Sequence, residues 1–316
     1  MKVTIAIPCR NAGRWLHACI ASALAQTWPD TEVLVWDDGS TDDSATVMRA
    51  FGAQIRTWFQ TAAGGNHARN GLLAASTGDW VQFLDADDYL EPGKIARQFA
   101  EGGDLAGVDV LYSPVWIETW RGDRTVAREA SALDAARDLF GQWLAWHLPQ
   151  TGGALWRREA LVGIGGWKAE QPCCQEHELY LRALEHGLRF RFCPSPGAVY
   201  RIWSEQTVCR KDPVRVIREK TALIDRLLAT LASSGRLTEE HRRIAGQAGF
   251  EMARTWAREN PRAAAEYFRQ RAARALIRAR GPAAPWSYRV AAALLGFETT
   301  EKLLQRIRRP AAAAPR

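Results

Sequence analysis

Through the first two hundred residues, short apolar runs alternate with segments whose apolar residues have helical spacing. This alternation restricts the possible folds more than any other feature of the sequence. Three runs are rich in β-branched and aromatic residues and predict strands buried on both faces: 3–7, 32–36 and 80–84. Apolar residues recur at helical spacing in three further segments: 15–25, 44–51 and 67–76. Because strand–helix–strand alternation is typical of a mostly parallel sheet covered by helices on both faces, the sequence predicts an α/β fold.

The C-terminal third has a different pattern, since strand-like runs give way to helical spacing alone. The clearest segments predict two helices over 242–258 and 262–280. We therefore predict a sheet domain over 1–205 and a helical C-terminal region over 206–316. The last residues, 310–316, contain only Pro, Ala and Arg and are predicted to be disordered.

Composition excludes several classes of protein. Hydrophobic residues are 47% of the chain and charged residues 24%, which argues against general disorder. No apolar run approaches the ~18 residues that span a bilayer, and the first strand begins at Val3 without a basic leader, so the expected location is cytoplasmic.

The six cysteines form no C-x-x-C pair, so we expect reduced thiols and no zinc site.

Positive charge is concentrated in the C-terminal third. Residues 205–316 contain 23 Lys and Arg against 11 Asp and Glu, whereas 1–204 contain 19 against 24. No recognised nucleic-acid-binding module accompanies this charge, so we expect no nucleic-acid partner. The segment 288–309 mixes leucines with the basic residues Lys302, Arg306, Arg308 and Arg309. It is compatible with a basic amphipathic helix on the inner face of an anionic membrane or with a helix packed on its own domain.

Acidic clusters directly follow two of the predicted strands. Asp37-Asp38 comes after the second strand, and Asp85-Ala86-Asp87-Asp88 comes after the third. The carboxyl ends of strands in an open parallel sheet form the ligand crevice, so these clusters are expected on one rim. Carboxylate oxygens suit Mg²⁺ or Mn²⁺, and the rim therefore predicts a site for a divalent cation and a polar ligand.

Four segments together resemble the family 2 glycosyltransferases in content, order and spacing. They are 3–13 (VTIAIPCRNAG), 33–42 (VLVWDDGSTD), 68–71 (ARNG) and 78–88 (GDWVQFLDADD). The resemblance extends over about residues 3–205. It implies a GT-A fold, which is a Rossmann-like, mostly parallel sheet flanked by helices, with the C-terminal helices as an appendage. It also implies transfer of a sugar from a nucleotide diphosphate donor, with a UDP-sugar favoured.

The resemblance assigns candidate donor-binding residues by position in these motifs. The nucleotide residues would be Pro8, Arg10, Asn11 and Asp38, with Asp38 facing the base and Arg69 lying along the nucleotide. Asp85 would contact the ribose or the sugar, and Asp87 would bind the Mn²⁺ or Mg²⁺ that bridges the diphosphate. Asp37 is interpreted as the cap of a helix or of a turn, and Asp88 as the cap of the helix that follows it.

A later segment resembles the acceptor side of the family. Residues 165–182 contain Gly-Gly-Trp followed by Gln-Glu-His-Glu-Leu, and the position of the family's catalytic base falls on Glu176. Glu178 is the alternative, interpreted as a structural acid near a helix N-terminus. Trp167 is predicted either to stack on the acceptor sugar or to be a core aromatic. Arg210 and Lys211 are predicted either to contact the diphosphate or to be solvated.

The sequence thus predicts an inverting, metal-dependent glycosyltransferase of cell-surface polysaccharide or glycolipid synthesis, with a saccharide or lipid-linked acceptor. Two alternatives remain at this stage: a non-catalytic scaffold that binds nucleotide sugars, and a nucleotidyltransferase that makes them. The nucleotidyltransferase would need a glycine-rich phosphate loop after the first strand, where this chain has Pro-Cys-Arg-Asn. A nicotinamide dehydrogenase is disfavoured because no G-x-G-x-x-G follows Ile7.

Overall fold

The structure, a computed structural model, describes residues 1–133, 138–203 and 212–308. The chain divides into two compact units. The first comprises Met1–Arg137 and His147–Glu205, and the second comprises Asp138–Trp146 and Gln206–Arg316. The segment at 138–146 therefore belongs with the C-terminal helices. The predicted disordered tail lies outside the described residues.

The first unit is built on a seven-stranded sheet with the order β10-β6-β9-β4-β1-β2-β3. These strands are β1 (Val3–Cys9), β2 (Thr31–Asp38), β3 (Arg56–Gln60), β4 (Trp80–Phe83), β6 (Val110–Tyr112), β9 (Ala154–Arg157) and β10 (Phe190–Phe192). Strand β9 runs antiparallel to β4 and β6, and the other pairings of this sheet are parallel. The predicted α/β fold with a mostly parallel sheet is confirmed.

A second, four-stranded sheet lies in the same unit, with the order β5-β11-β7-β8. Its strands are β5 (Tyr89–Leu90), β7 (Trp116–Arg121), β8 (Arg124–Ala130) and β11 (Ala198–Ile202). Strand β5 begins directly after the acidic cluster at 85–88. Pairing of β5 with β11 therefore fixes the position of the C-terminal end of that cluster.

In the described part of the first unit, six α-helices flank the sheets: α1 (Gly13–Leu24), α2 (Ser44–Ala50), α3 (Gly65–Ala75), α4 (Lys94–Gly102), α6 (Arg158–Gly163) and α7 (Gln175–Glu185). Helix α1 buries Trp15, Leu16, Cys19, Ile20 and Ala23, which recur at helical intervals. All of these except Trp15 belong to one core cluster with buried apolar residues of β1 and β2. The five cysteines that the structure describes are buried thiols.

The second unit is helical. It contains α5 (Leu139–Leu144), α8 (Pro213–Ser233), α9 (Glu239–Glu259), α10 (Pro261–Ala273), α11 (Trp286–Leu295) and α12 (Phe297–Arg308). Asn260 ends α9 and caps α10, where its side chain accepts a hydrogen bond from the Ala263 N–H at 3.0 Å. The prediction of a helix continuing to Arg280 was wrong. Helix α10 stops at Ala273, and the chain turns back so that the Arg278 N–H reaches the Gly246 carbonyl at 2.9 Å.

Within 1–133, 138–203 and 212–308, no helix combines the length and the apolar character needed to cross a bilayer.

Candidate active site

The ends of β1 and β2 are held together by side chains of the first two motifs. Asn11 adopts a left-handed backbone conformation with φ of 51°, and its Oδ1 accepts a hydrogen bond from the Thr41 N–H at 2.8 Å. The Asn11 N–H donates in turn to Ser40 Oγ at 2.9 Å. Pro8 lies half-buried in β1 opposite Trp36. The predicted nucleotide residues Pro8 and Asn11 therefore form and brace this rim.

Asp38 is buried at the end of β2 and organises the loop that leads into α3. Its Oδ1 accepts hydrogen bonds from Gln60 Nε2 at 2.8 Å and the Ala63 N–H at 2.7 Å, and its Oδ2 accepts from the Gly64 N–H at 2.9 Å. Arg10, whose side chain is 55% exposed, places Nη1 4.0 Å from Asp38 Oδ2. Each carboxylate oxygen can accept two hydrogen bonds, so Oδ2 retains capacity for a ligand donor.

Asp37 caps the turn after β2, as predicted. Its Oδ1 accepts the Ser40 N–H at 3.1 Å. Gly39 has φ of +75° and lies so close to the neighbouring loop that a Cβ would come within 2.7 Å of the Ala62 nitrogen. The Asp-Asp-Gly-Ser turn thus requires glycine for two independent reasons.

Helix α3 connects three parts of the site through the consecutive residues of the Arg-Asn-Gly motif. Arg69 Nη2 donates to Asp85 Oδ1 at 2.7 Å, and Nη1 donates to Gln175 Oε1 at 3.4 Å. The Asn70 amide pairs with the backbone of Trp167 through hydrogen bonds of 2.8 and 2.7 Å. Gly71 packs against an indole of β2, so that a Cβ would lie 2.5 Å from Trp36. The motif therefore joins strand β2, the acidic cluster and the segment at 165–182.

Asp87 lies between β4 and β5, half-buried beside Asp85. Its Oδ2 accepts a hydrogen bond from Trp203 Nε1 at 2.9 Å. Burial and the neighbouring charge of Asp85 raise the pKa of the Asp87 carboxyl. A cation close to Asp87 would favour the charged form of this carboxyl group.

The interpretation of Asp88 as a helix cap was wrong, because β5 and not a helix follows it. Asp88 Oδ1 accepts the Arg201 N–H of β11 at 2.8 Å. The Arg201 side chain donates to the Asp87 carbonyl at 2.9 Å and lies 4.8 Å from the Trp15 ring and 4.4 Å from the Tyr89 ring. Sequence reasoning missed this buried arginine, since nothing near position 201 indicates that it reaches the acidic cluster.

The residues of the acidic cluster fit a divalent cation that is completed by a ligand. Among the described residues, no three His, Cys, Asp or Glu side chains are grouped to hold a metal ion. Mg²⁺ commonly takes only one or two protein carboxylates together with substrate phosphates and water. Asp85 Oδ1 accepts the hydrogen bond from Arg69 Nη2 and Asp87 Oδ2 accepts the one from Trp203 Nε1, and each carboxylate has a second oxygen.

Glu176 and Glu178 have different surroundings in the first turn of α7. Glu176 is half-buried, and its Oε1 accepts a hydrogen bond from Thr151 Oγ1 at 2.9 Å. Glu178 is 2% exposed and pairs with Arg182 Nη2 at 2.8 Å. Arg182 also donates to the carbonyls of Ile164 and Gly166, so Glu178 belongs to a clamp on the Gly-Gly-Trp turn.

Trp167 is 3% exposed, which leaves its ring in the core. It packs edge-to-face on Phe83 with ring centroids 5.2 Å apart, and the Arg69 guanidinium lies 4.7 Å from its ring. The observed position matches the core-aromatic alternative, and the indole also packs against Arg69. The predicted phosphate contacts Arg210 and Lys211 lie outside the described residues.

Comparisons with known proteins agree with this fold. The family described as Glycosyl transferase family 2 matches residues 4–162, which is half of the chain. An uncharacterized glycosyltransferase, alr2836 of Nostoc sp., is 34% identical over 179 residues, covering 52% of this chain and 53% of that protein. The succinoglycan biosynthesis protein ExoU of Rhizobium meliloti is 40% identical over 106 residues, covering 32% and 30%. The matched stretch thus spans about half or less of each of these relatives.

Solved structures share the fold at low sequence identity. Staphylococcus aureus TarS 1–349 in complex with UDP-GlcNAc superposes with a TM-score of 0.60 at 16% identity, covering 97% of this chain and 92% of that one. The mannosyltransferase PcManGT of Pyrobaculum calidifontis, in complex with GDP-Man and Mn²⁺, gives 0.53 at 16% identity, covering 98% and 88%. Sequence and fold together define a GT-A glycosyltransferase architecture, and the chain belongs to glycosyltransferase family 2.

Proposed function

We propose that this protein transfers a sugar from a nucleotide diphosphate sugar to an acceptor hydroxyl, with inversion at the anomeric carbon. The observation that carries the proposal is the bridge made by Arg69. Its guanidinium contacts Asp85 of the acidic cluster and Gln175, the residue directly before Glu176. One side chain thereby contacts both a carboxylate of the proposed donor side and the residue next to the proposed base, which supports a site where two substrates meet.

The donor would lie across the rim formed by β1, β2 and β4. Arg10, Asn11 and Asp38 would hold the nucleotide, and Asp85 with Arg69 would orient the ribose or the sugar. Asp87 would hold a Mn²⁺ or Mg²⁺ on the diphosphate. That cation would neutralise the charge that develops on the leaving group as the sugar–phosphate bond breaks. TarS and PcManGT, which share the fold, were crystallised with UDP-GlcNAc and GDP-Man, so both nucleotides are candidates and we favour a UDP-sugar.

Glu176 would act as the general base. Its carboxylate would take the proton of the acceptor hydroxyl while the acceptor oxygen bonds to the anomeric carbon. The bond between that carbon and the phosphate oxygen breaks, and its electron pair leaves on the nucleoside diphosphate. Attack opposite the leaving group in a single displacement inverts the anomeric carbon. We propose a saccharide or lipid-linked acceptor in cell-surface polysaccharide or glycolipid synthesis, because ExoU is a succinoglycan biosynthesis protein.

Slow transfer to water tests the reaction before the acceptor is identified. Nuclear magnetic resonance would follow a UDP-sugar incubated with the protein and Mn²⁺. We expect release of UDP, with the free sugar first appearing in the anomeric configuration opposite to that of the donor. A free sugar that first appears with retained configuration would contradict the single-displacement mechanism.

The C-terminal helices would place the protein on an anionic lipid surface. Helix α11 exposes three apolar side chains four residues apart: Trp286 at 72%, Val290 at 50% and Leu294 at 78%. It contains no acidic residue, and Arg289 is exposed beside this stripe. Helix α12 exposes Ile307 at 78%, together with Lys302 and Arg306. Apolar side chains next to exposed cations complement a membrane with anionic headgroups.

Vesicle flotation tests this contact. Wild-type protein should float at low salt with vesicles of phosphatidylglycerol and phosphatidylcholine, and much less with phosphatidylcholine alone. The double variant Trp286→Ser/Leu294→Ser should bind at least about tenfold more weakly, because burial of one such side chain contributes about 1.5–3 kcal/mol. Val162→Ser, which removes a 50% exposed valine from α6, is the matched control. Absence of wild-type flotation, or an equal loss in the control, would rule out the membrane contact.

A further inference from the structure

The candidate base is held by a residue that the sequence did not single out. Thr151 is 5% exposed, and its hydroxyl donates to Glu176 Oε1 at 2.9 Å. Within the described part of the chain, no other side chain hydrogen-bonds this carboxylate, so Oε2 is left for an acceptor hydroxyl. A hydroxyl on one oxygen restricts rotation of the carboxylate and thereby fixes the direction of the other oxygen.

Buried side chains hold the turn that contains Thr151 in place through hydrogen bonds to its backbone carbonyls. Gln82 Nε2 donates to the Gly152 carbonyl at 3.1 Å, and Gln98 Nε2 donates to the Gly153 carbonyl at 2.9 Å. Ser113 Oγ also reaches the Gly153 carbonyl, at 3.3 Å. These three side chains and Lys94, hereafter the buried polar cluster, are each at most 1% exposed. Buried amide donors are costly to leave unpaired, so the cluster holds both carbonyls that follow Thr151 in place.

Lys94 sets the orientation of the first of these amides. Its Nζ donates to Gln82 Oε1. A lysine has no acceptor, so Gln82 must present its oxygen to Lys94 and its NH₂ group to Gly152. Burial lowers the pKa of Lys94 to about 7, and both the charged and the neutral amine can donate this hydrogen bond. A continuous series of contacts therefore runs from α4 through β4 to the turn at 151–153 and then to α7.

We propose that Thr151 and Lys94 are positioning residues for the transfer reaction. Thr151 orients the Glu176 carboxylate toward the acceptor, and Lys94 acts through Gln82 to hold the turn that presents Thr151. This inference rests on the proposed role of Glu176 as the base. The inference adds that proton transfer depends on Lys94, a buried lysine in α4. This helix contains none of the residues proposed to bind the donor.

The test uses the full chain and measures steady-state release of UDP from a UDP-sugar in the presence of Mn²⁺. In this assay, water takes the place of the acceptor hydroxyl. Thr151→Val keeps the side-chain shape and removes the donor, and it should lower kcat about tenfold or more with the donor KM unchanged. Thr151→Ser keeps the hydroxyl and should restore most of kcat. Lys94→Met should also lower kcat without changing the donor KM.

Thr4→Val is the matched control. Thr4 is fully buried in β1, and its Oγ1 donates to Glu32 Oε1 at 2.6 Å, at the opposite end of the strand from the rim. This variant loses the same kind of hydrogen bond, so we expect a lower melting temperature and an unchanged kcat. Melting temperatures of all variants separate such a stability loss from a loss of positioning.

A double-mutant cycle separates this inference from the proposed function. In the Glu176→Gln background, Thr151→Val should cause little further loss, because both changes act on one proton transfer. Wild-type kcat in Thr151→Val, or failure of Thr151→Ser to restore it, would overturn the positioning role even if Glu176→Gln lowers kcat as expected. If Glu176→Gln itself keeps wild-type turnover, the assigned base is wrong and the inference falls with it.

Discussion

Replacement of Glu176 by glutamine should lower the turnover number for sugar transfer by about 10²- to 10⁴-fold, the range that general base catalysis contributes. The dissociation constant of the nucleotide sugar should not change. Glutamine keeps the size of the side chain and can still accept the hydrogen bond from Thr151 Oγ1, but it cannot take the acceptor proton. Product formation at saturating donor, together with isothermal titration calorimetry of the donor, measures the two quantities separately.

Glu178→Gln is the matched control on the same helix turn, and it should fail in a different way. Glu178 is buried against Arg182, which also holds the carbonyl of Gly166 at 2.7 Å. Loss of one partner of a buried ion pair commonly costs about 3–5 kcal/mol, so we expect a lower melting temperature before any specific loss of turnover. A stable Glu178→Gln protein without turnover, beside an active Glu176→Gln protein, would reverse the assignment of the base.

Asp87→Asn should remove the metal-dependent part of donor binding. The Asp87 carboxylate lies beside the charge of Asp85, and the substitution removes the anionic group that is proposed to hold the cation. We expect the donor dissociation constant in Mn²⁺ to rise by at least about a hundredfold, to the value that the wild-type protein shows with the metal chelated. Calorimetric titrations of a UDP-sugar with Mn²⁺ and with a chelator measure this change.

Asp123→Asn controls for loss of surface charge, because the Asp123 side chain is 99% exposed and its ion pair with Arg14 lies at the surface. Such pairs contribute about 0–1 kcal/mol, so donor binding should stay at the wild-type value. Donor binding that stays metal-dependent in Asp87→Asn would show that other groups hold the cation.

The features predicted best from sequence are those set by local pattern. The apolar runs that became β1, β2 and β4 are continuous, and their buried faces require a sheet covered on both sides. The turn at Asp37 was also predictable, because an aspartate before Gly-Ser can accept the hydrogen bonds of its own turn.

The features that sequence reasoning missed depend on contacts between distant parts of the chain. Arg201 reaches Asp88 across 113 positions, and Thr151 meets Glu176 across 25. In each pair, the sequence around one residue contains no pattern that points to the other residue. Strand β9 has only four residues and inserts antiparallel between β4 and β6, so its place follows from tertiary packing and not from local propensity. Helix α10 ends at Ala273 because the following residues pack back on α9, although helix-forming residues continue.

Binding of nucleotide sugars tests the central claim most directly. Melting temperatures would be measured with UDP-, GDP- and dTDP-sugars, each with Mn²⁺ and with a chelator. We expect one nucleotide class to stabilise the protein only in Mn²⁺, by about 2.7 kcal/mol at a hundredfold excess over its dissociation constant. If no donor raises the melting temperature of folded protein at millimolar concentration in Mn²⁺, the rim at Asp38, Asp85 and Asp87 is not a nucleotide-sugar site and the proposed transfer is wrong.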